Sequence, residues 1–392
     1  MNLIIVLFLS IVVSVNTILS CPNSTRIIIK DRDFKPIELK YFYTNAFFEK
    51  EGNHYYVAGN HHGALERALI EKFEPITGSI WTRFYPDSFV FNKLYVTKDY
   101  VFAVGCVSDD AATKNKLAFL IIVNATTSTV LRHYIAENYC YNSIVANNKY
   151  YFITGTKYSE ILNITHAFVS KYELRSGHQV YEQLFGQNSF IQRCENKGTN
   201  LVMISDDEII VTMTIKEYSC ESHIVNLKGL TSKWLVKLIP FSYSEATAVS
   251  IYKDLVAVGG RFTFNILIVN NSVRLVANGL GRDSFLITMN RHSGKIMHYG
   301  SLCDVSDISA LYINNCSFVI SGKKKNAQNK VYLASGNFDI IDRERNTYYI
   351  NETIIDSSLN SQMYIENDYI TTIIGNTSTC VNLERYVLKN II

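Results

Sequence analysis

Short apolar runs that end in glycine recur along the whole chain. Six of these runs are alike, namely Tyr55–Gly59, Tyr100–Gly105, Tyr150–Gly155, Leu255–Gly259, Phe318–Gly322 and Ile370–Gly375. A degenerate copy, Ile209–Met213, fills the wide gap between the third and fourth runs. The spacing of roughly 45 to 65 residues is typical of a propeller blade and is longer than most helical repeats.

The chain continues in the same way after each of these glycines. In the first copy a polar break leads to a second apolar run, Ala68–Phe73, and then through Thr77-Gly78 to a third run, Ser79–Tyr85. Apolar residues that alternate with β-branched or aromatic ones between turn residues predict short antiparallel strands. A Thr-Gly or Ser-Gly pair between two such runs predicts a hairpin. Helical periodicity is not found, so the prediction is an all-β fold.

Three or four short strands in each of about seven units predict a β-propeller of six to eight blades. The two ends of the chain each supply only part of a unit. Residues 26–30 and 37–42 form apolar runs without a preceding first half, while residues 370–375 and 381–388 lack an outer strand. We therefore expect the N-terminal and C-terminal strands to pair in one composite blade that closes the ring, which removes most exposed sheet edges.

Composition supports one large domain. The 392 residues are 47% hydrophobic and 12% aromatic, and because blades share a closed ring we expect a single domain over residues 21–392. Charged residues make up 19% and the net charge is only +3. Without a basic stripe, nucleic acid is a poor candidate for a partner. The sequence leaves the oligomeric state open.

The N-terminus predicts a secretory leader. Residues 3–13 form an apolar run that is too short to span a bilayer comfortably but fits the core of a signal peptide, with cleavage near Ser20. An uncleaved anchor is the alternative. No other stretch approaches 18 apolar residues, so no membrane span is expected after residue 20.

Cysteines and glycosylation sequons favour the same compartment. The eight cysteines are compatible with four disulfides in an oxidising environment. We predict that Cys21 bridges Cys380 across the closing blade and that Cys303 and Cys316 form a local bridge. The pairing of the other four, Cys106, Cys140, Cys194 and Cys220, stays open. Candidate glycosylation sites are Asn23, Asn124, Asn163, Asn270, Asn315, Asn351 and Asn376.

The stretch from Tyr55 to Tyr85 resembles the β-propeller repeat family common in bacterial surface proteins. In those repeats a strand ending in glycine precedes a second strand, a glycine turn and a strand that carries tryptophan. The unit from Gly259 to Leu286 is similar and keeps its loop. This resemblance implies a propeller scaffold without a single activity or catalytic residues. The repeats have drifted, because Trp81 and Trp234 are the only tryptophans and related units have Tyr181 or His298.

Three clusters of ionisable residues are candidate chemical sites. His54, His61 and His62 lie around the first glycine, and the acidic pairs are Asp109-Asp110 and the run Asp206-Asp207-Glu208. None has the spacing of a metal site, so the histidines are interpreted as rim residues and the carboxylates as solvated turns. Two tryptophans are too few for a quinone-dependent dehydrogenase, and the repeated turn of sialidases is missing. No catalytic, metal or cofactor residues are assigned.

The sequence therefore predicts a secreted or cell-surface β-propeller that binds a protein or glycan partner through one end face. Binding residues of such folds concentrate on the loops around the central channel. The alternative is a secreted glycan-acting hydrolase on the same scaffold. Two carboxylates and an arginine at the channel mouth would favour the hydrolase, whereas a smooth aromatic or hydrophobic face would favour protein binding.

Overall fold

A computed structural model describes most of the chain from residue 26 onwards. The described residues are 26–30, 37–38, 43–61, 67–74, 77–86, 88–107, 116–159, 161, 164–186, 194–217, 219–263, 265–268, 273–276, 282–302, 305–314, 316–324, 330–342, 347–356, 363–366, 369–374 and 382–390. All regular elements within these ranges are β-strands. Among them there is accordingly no helix long and apolar enough to cross a bilayer.

The first three blades are four-stranded antiparallel meanders. Blade 1 contains β3 (Tyr43–Glu51), β4 (His54–His61), β5 (Arg67–Glu74) and β6 (Gly78–Tyr85). Blade 2 contains β7 (Phe89–Val96), β8 (Tyr100–Val107), β9 (Leu117–Asn124) and β10 (Val130–Glu137). Blade 3 contains β11 (Tyr139–Ala146), β12 (Tyr150–Ser159), β13 (Ile164–Glu173) and β14 (Gln179–Phe185). Each blade runs from its first strand to its fourth in sequence order.

Blades 4 to 6 repeat this order with two additions. Blade 4 contains β15 (Lys197–Ser205), β16 (Glu208–Lys216), β17 (Cys220–Lys228) and β18 (Thr231–Pro240). Blade 5 contains β19 (Ser244–Tyr252), β20 (Leu255–Thr263), β23 (Arg282–Asn290) and β24 (Ile296–Leu302). Blade 6 contains β25 (Val305–Ile313), β26 (Ser317–Lys324), β27 (Lys330–Asp342) and β28 (Thr347–Asp356). The loop expected between β20 and β23 contains a hairpin, β21 (Asn265–Ile268) and β22 (Val273–Val276), which pairs with β18 of blade 4. A single parallel pair between β24 and β28 joins blades 5 and 6.

Both ends of the chain build blade 7, as predicted. Its strands are β29 (Met363–Glu366), β30 (Tyr369–Ile374) and β31 (Asn382–Asn390) from the C-terminus, with β1 (Arg26–Lys30) and β2 (Ile37–Glu38) from the N-terminus. Both N-terminal strands pair antiparallel with β31. The described residues thus form seven blades, and pairing of N- and C-terminal strands closes the ring.

The hydrophobic core lies between neighbouring blades. Phe91 and Phe119 of blade 2 pack edge to face at 5.4 Å in the cluster shared with blade 1, while Phe102 and Phe168 lie in the cluster shared by blades 2 and 3. All four rings are fully buried. Similar clusters follow between blades 3 and 4, 4 and 5, and 5 and 6. Each blade is therefore apolar on both faces. For this reason the second and third strands are nearly continuous apolar runs, in which the alternation expected from sequence is weak.

The repeated glycine does not end its strand, which corrects the prediction from sequence. Strands β8 and β12 continue two and four residues beyond Gly105 and Gly155. Each of these glycines faces a β-bulge in the first strand of its blade. A Cβ on Gly155 would overlap the carbonyl oxygen of Cys140, which the bulge pushes towards it. The glycine is therefore required by the bulge, and it marks the middle of a strand.

Blade 4 keeps this arrangement by moving its glycine. Met213 occupies the usual glycine position on β16, and its antiparallel partner on β15 is Gly198, next to the bulge. A Cβ on Gly198 would overlap the hydroxyl of Thr154 in blade 3. In blade 4 the glycine therefore lies on the first strand instead of the second, because Thr154 of blade 3 leaves no room for a side chain there.

Candidate functional site

The bulges place a polar residue on the propeller axis in each of five consecutive blades. The first strands of neighbouring blades contact one another around the axis, so they are the innermost strands. The extra residue in each bulge has an amide or hydroxyl side chain; these residues are Asn92, Asn142, Thr199, Thr247 and Ser309. We call them the bulge ring.

The bulge ring forms a hydrogen-bonded relay from blade to blade. The side chains of its first four members donate to the backbone carbonyl that precedes the bulge residue of the next blade. The bonds are Asn92 Nδ2 to Tyr141 O (2.9 Å), Asn142 Nδ2 to Gly198 O (2.9 Å), Thr199 Oγ1 to Ala246 O (2.5 Å) and Thr247 Oγ1 to Ile308 O (2.5 Å). A bulge leaves backbone groups without ladder partners, and here the neighbouring blade supplies them.

A polar cavity of about 370 Å³ lies inside the bulge ring. Beyond that ring its walls include two further hydroxyl or amide residues, four ionisable residues and one isoleucine; these are Ser143, Asn200, Lys93, Arg261, Asp307, Lys323 and Ile308. None of the described residues in this lining is aromatic. The size is at the lower end of the range for small-molecule sites, and the donors and acceptors converge from blades 2 to 6.

A row of ion pairs borders the cavity at one end of the axis. Lys197, Glu245 and Asp307 occupy equivalent positions, two residues before the bulge residue in blades 4, 5 and 6. Lys197 Nζ lies 2.5 Å from Glu245 Oε1, and Arg261 Nη2 lies 2.5 Å from Glu245 Oε2. Arg261 Nη1 also contacts Asp307 Oδ2 at 3.3 Å. We call Lys197, Glu245, Arg261 and Asp307 the charged row, and the end of the propeller where the innermost strands begin the upper face.

The charged row separates two carboxyl groups by their pKa values. Burial would raise the pKa of Glu245, but Lys197 and Arg261 outweigh it and lower this pKa to about 2. Burial raises the pKa of Asp307, although Arg261 opposes the shift, and the nearby Glu245 charge adds to it. The Oδ1 atom of Asp307 is buried and has no hydrogen-bond partner. Glu245 is thus held ionised, whereas Asp307 takes up a proton more readily than an ordinary aspartate.

Blades 2 and 3 use the same level of the ring for a disulfide. Cys106 follows the glycine of blade 2 and Cys140 lies two residues before the bulge residue of blade 3, and the two are bonded. Arg261 and Asp307 hold the corresponding positions in blades 5 and 6. One inter-blade contact is therefore covalent in one part of the ring and ionic in another.

Structure settles part of the cysteine pairing that the sequence left open. Besides Cys106–Cys140, a bond joins Cys194 to Cys220. Cys316 is disulfide-bonded as well, but Cys303 lies outside the described residues. The Cys303–Cys316 and Cys21–Cys380 bridges therefore stay predictions.

Only two of the predicted glycosylation sites lie in described parts of the chain. The Oδ1 atom of Asn124 accepts hydrogen bonds from the backbone N–H groups of Thr126 and Thr127, and Asn351 lies in β28. Asn23, Asn163, Asn270, Asn315 and Asn376 fall outside the described residues, as does the leader at residues 1–20. Glycosylation and leader cleavage stay predictions.

The three clusters weighed from sequence do not form a common site among the described residues. His54 lies 2.8 Å from Glu74 on its own blade. The three residues of the acidic run 206–208 form ion pairs with three different lysines. Asp206 contacts Lys149, Asp207 contacts Lys171 and Glu208 contacts Lys233. The His61 side chain, His62 and Asp109-Asp110 lie outside the described parts. Neither the ion pairs nor the charged row was predicted, because register across a bulge cannot be read from one repeat.

A further cluster lies in blade 4, just beyond the strand that begins at Glu208. Glu217, Glu221 and His223 bring one potential ligand atom each within 4.8 Å of the others. His223 Nε2 lies 3.2 Å from Glu221 Oε2, and Lys237 Nζ lies 2.8 Å from Glu217 Oε1. These contacts already compensate the charges at the buried end of blade 4.

Comparison with models of known protein families and with curated protein sequences gives no match. Among solved structures, a chain of the mitotic checkpoint complex is similar with a TM-score of 0.53 and 10% identity, over 90% of this chain and 93% of that one. The Pan2 WD40 domain of Neurospora crassa gives 0.51 and 8%, over 90% of both chains. The β-propeller domain of the trilobed protease from Pyrococcus furiosus gives 0.50 and 9%, over 89% of this chain and 97% of that one.

At such low identity these similarities concern the fold alone. They agree with the seven blades, and they do not distinguish the bacterial surface repeat family that the sequence resembles. The described chain is a closed, all-β propeller.

Proposed function

We propose that this protein is a secreted or cell-surface binding scaffold whose upper face takes a polar ligand at the central cavity. The observation that carries the proposal is the convergence of amide and hydroxyl side chains from five consecutive blades on one cavity of about 370 Å³. Donors and acceptors arranged in this way suit a hydroxyl-rich ligand. Secretion rests on the predicted leader, cysteines and sequons.

Charge narrows the ligand class. The cavity lining includes three basic side chains, Lys93, Arg261 and Lys323, against one carboxyl group, Asp307. Because burial raises the pKa of Asp307, this carboxyl group carries less negative charge than an ordinary aspartate would at the same pH. An acidic saccharide combines hydroxyl groups with a compensating negative charge, so we favour a glycan partner over a protein. Because exposed cation–anion attraction is screened, the affinity should fall with added salt.

A glycan array with neutral, carboxylated and sulfated oligosaccharides tests this proposal directly. We expect acidic glycans to bind and Lys93→Gln to weaken them by roughly tenfold, as loss of a charge-assisted contact does. Lys237→Gln, which changes a lysine of blade 4 that does not line the cavity, is the matched control. Absence of glycan binding, or equal losses in both variants, would refute the proposal.

Glycan hydrolysis is the second candidate because two carboxyl groups with opposite pKa shifts flank one arginine. Such a division is typical of acid–base pairs in glycosidases. However, Lys197 and Arg261 hold both oxygens of Glu245, which leaves this carboxylate poorly placed to attack or accept a proton. Binding without turnover is therefore favoured. The hydrolase would be supported if the wild-type protein released reducing ends from the bound glycan and Asp307→Asn abolished this release.

A further inference from the structure

A second cavity follows from the loss of one tryptophan. In five blades the outer strand has a bulge, and the residue after it holds an equivalent position; these residues are Trp81, Arg132, Tyr181, Trp234 and His298. Blade 2 is the blade with an arginine at this position. Its neighbours in the ring, blades 1 and 3, have a tryptophan and a tyrosine.

Tryptophan at this position covers the joint with the next blade. Trp234 Nε1 donates to the Arg291 carbonyl of blade 5 at 2.7 Å, and its ring lies on Gly294, whose added Cβ would come within 2.8 Å of Cδ2. Trp81 Nε1 reaches the Ala125 carbonyl of blade 2 at 3.4 Å. The indole therefore fills the space between an outer strand and the adjacent turn.

Arg132 makes contacts like those of Trp234, but its side chain fills less of the space between the blades. Its guanidinium lies against Gly177 of blade 3, just as Trp234 lies on Gly294, and its Nη2 donates to the Arg175 carbonyl. Gly177 has a φ of +73°. A guanidinium is smaller than an indole, and a cavity of about 160 Å³ remains between blades 2 and 3.

Four tyrosines contribute to the walls of this cavity. Its lining is Leu120, Arg132, Tyr134, Tyr141, Tyr151, Ile153, Tyr172, Gly177 and Gln179. Tyr151 and Tyr172 stack with ring centroids 5.0 Å apart and an angle of 7° between planes. Tyr141 and Tyr151 are buried, while Tyr134 is 54% exposed and stands at the mouth. The stacked rings of Tyr151 and Tyr172 thus form one flat wall, and the cavity opens to solvent beside Tyr134.

The polar groups of the cavity favour an anion. Among the described residues, no hydrogen bond is made by the hydroxyl groups of Tyr134, Tyr141 and Tyr151. Burial raises the pKa of Tyr151 to about 12, although Arg132 opposes the shift, so the phenol is neutral and able to donate. None of the described lining residues carries a carboxyl group. Three hydroxyl donors and one guanidinium consequently face a space without negative charge.

We propose that this cavity binds a small flat aromatic carboxylate. The ring of the ligand takes the space that the indole of Trp234 takes between blades 4 and 5, against Tyr151. Its carboxylate accepts hydrogen bonds from Arg132 and from the hydroxyl group of Tyr134 at the mouth. A cavity of about 150 Å³ holds benzene, so a volume of about 160 Å³ fits one six-membered ring with its substituent.

Titration calorimetry of the full-length protein with benzoate tests the proposal, with benzamide as the neutral probe of the same shape. We expect benzoate to bind and benzamide to bind at least roughly tenfold more weakly, since a charge-assisted contact is lost. Arg132→Trp should abolish benzoate binding and raise the melting temperature, because an indole fills the cavity. Arg132→Gln should retain the fold and weaken benzoate by roughly tenfold.

Arg83→Gln is the matched control, because Arg83 lies on the outer strand of blade 1 and donates to the Ser128 carbonyl at 2.8 Å without lining the cavity. It should bind benzoate like the wild type. Three results would overturn the proposal: no benzoate binding by the wild type, equal affinity for benzamide, or unchanged binding by Arg132→Trp. Binding of glucuronate in preference to benzoate would also overturn it, since a puckered sugar ring does not match a flat wall.

Discussion

Glu245→Gln tests whether the charged row stabilises the propeller. Glu245 is 6% exposed in its side chain and compensates both Lys197 and Arg261. The variant keeps the shape of the side chain but leaves two cations without their carboxylate. Removing one partner of a buried ion pair is strongly destabilising, because the other charge stays desolvated.

The pKa of Glu245 gives both the size and the pH dependence of the effect. Its value is about 2 in the folded protein against an ordinary value of 4.5. A depressed pKa contributes stability that is complete above the unfolded value and is lost as the pH falls towards the folded value. The difference corresponds to roughly 3 kcal/mol at neutral pH, and roughly 2 kcal/mol of it disappears by about pH 3.

Urea unfolding of wild type and variant at about pH 7 and about pH 3 measures this difference. We expect Glu245→Gln to lower the free energy of unfolding by roughly 3 kcal/mol at the higher pH and by about 1 kcal/mol at the lower. Glu217→Gln is the control: its carboxylate is 41% exposed and pairs with Lys237, so the loss should stay below about 1 kcal/mol. An equal loss for Glu245→Gln at both pH values would refute the reasoning.

Three further predictions concern the joints between blades. Replacing Cys106 and Cys140 by serine should cost up to roughly 4 kcal/mol in unfolding free energy, from the 34-residue separation of the pair, with thermal unfolding as the measurement. Gly155→Ala should cost about 1–3 kcal/mol because the new Cβ overlaps the Cys140 carbonyl, and an unchanged denaturation midpoint would contradict this. Trp234→Phe should cost about 1–3 kcal/mol because the Arg291 carbonyl loses the nearer of its two donors and keeps only Asn226 Nδ2 at 3.3 Å, and chemical denaturation can detect this loss.

The sequence predicted the strands and the closing blade because both depend on local patterns. Alternation and turn residues located β4 and β8, and the half-units at the two ends indicated blade 7. The prediction that the strand ends at Gly105 was wrong, because glycine occurs both in turns and where another backbone approaches closely, and the sequence does not distinguish the two. Only the backbone of the neighbouring strand shows that a bulge brings a carbonyl towards it.

The candidate sites could not be predicted, because both depend on register. Glu245 and Arg261 are 16 residues apart in sequence and become antiparallel partners only when the bulge is placed correctly. A slip of one residue would turn every side chain to the opposite face of the strand. Similarly, the missing tryptophan was visible in the repeats, but Arg132 could be assigned to that position only from the bulge at Leu131.

Comparison of equivalent positions shows how a repeated fold acquires distinct sites. In blades 1 to 6 the second strand faces a bulge, and the bulge fixes where the neighbouring blade is contacted. Side chains at these fixed points differ between blades: Cys140 forms a disulfide where Glu245 forms ion pairs, and Arg132 lines a cavity where Trp234 fills one. Because the backbone geometry is the same in each case, a substitution at such a point changes the chemistry of one joint without altering the ring. Specialised sites in this propeller should therefore lie where a blade departs from its neighbours at a bulge, and the charged row and the tyrosine-lined cavity both meet that criterion.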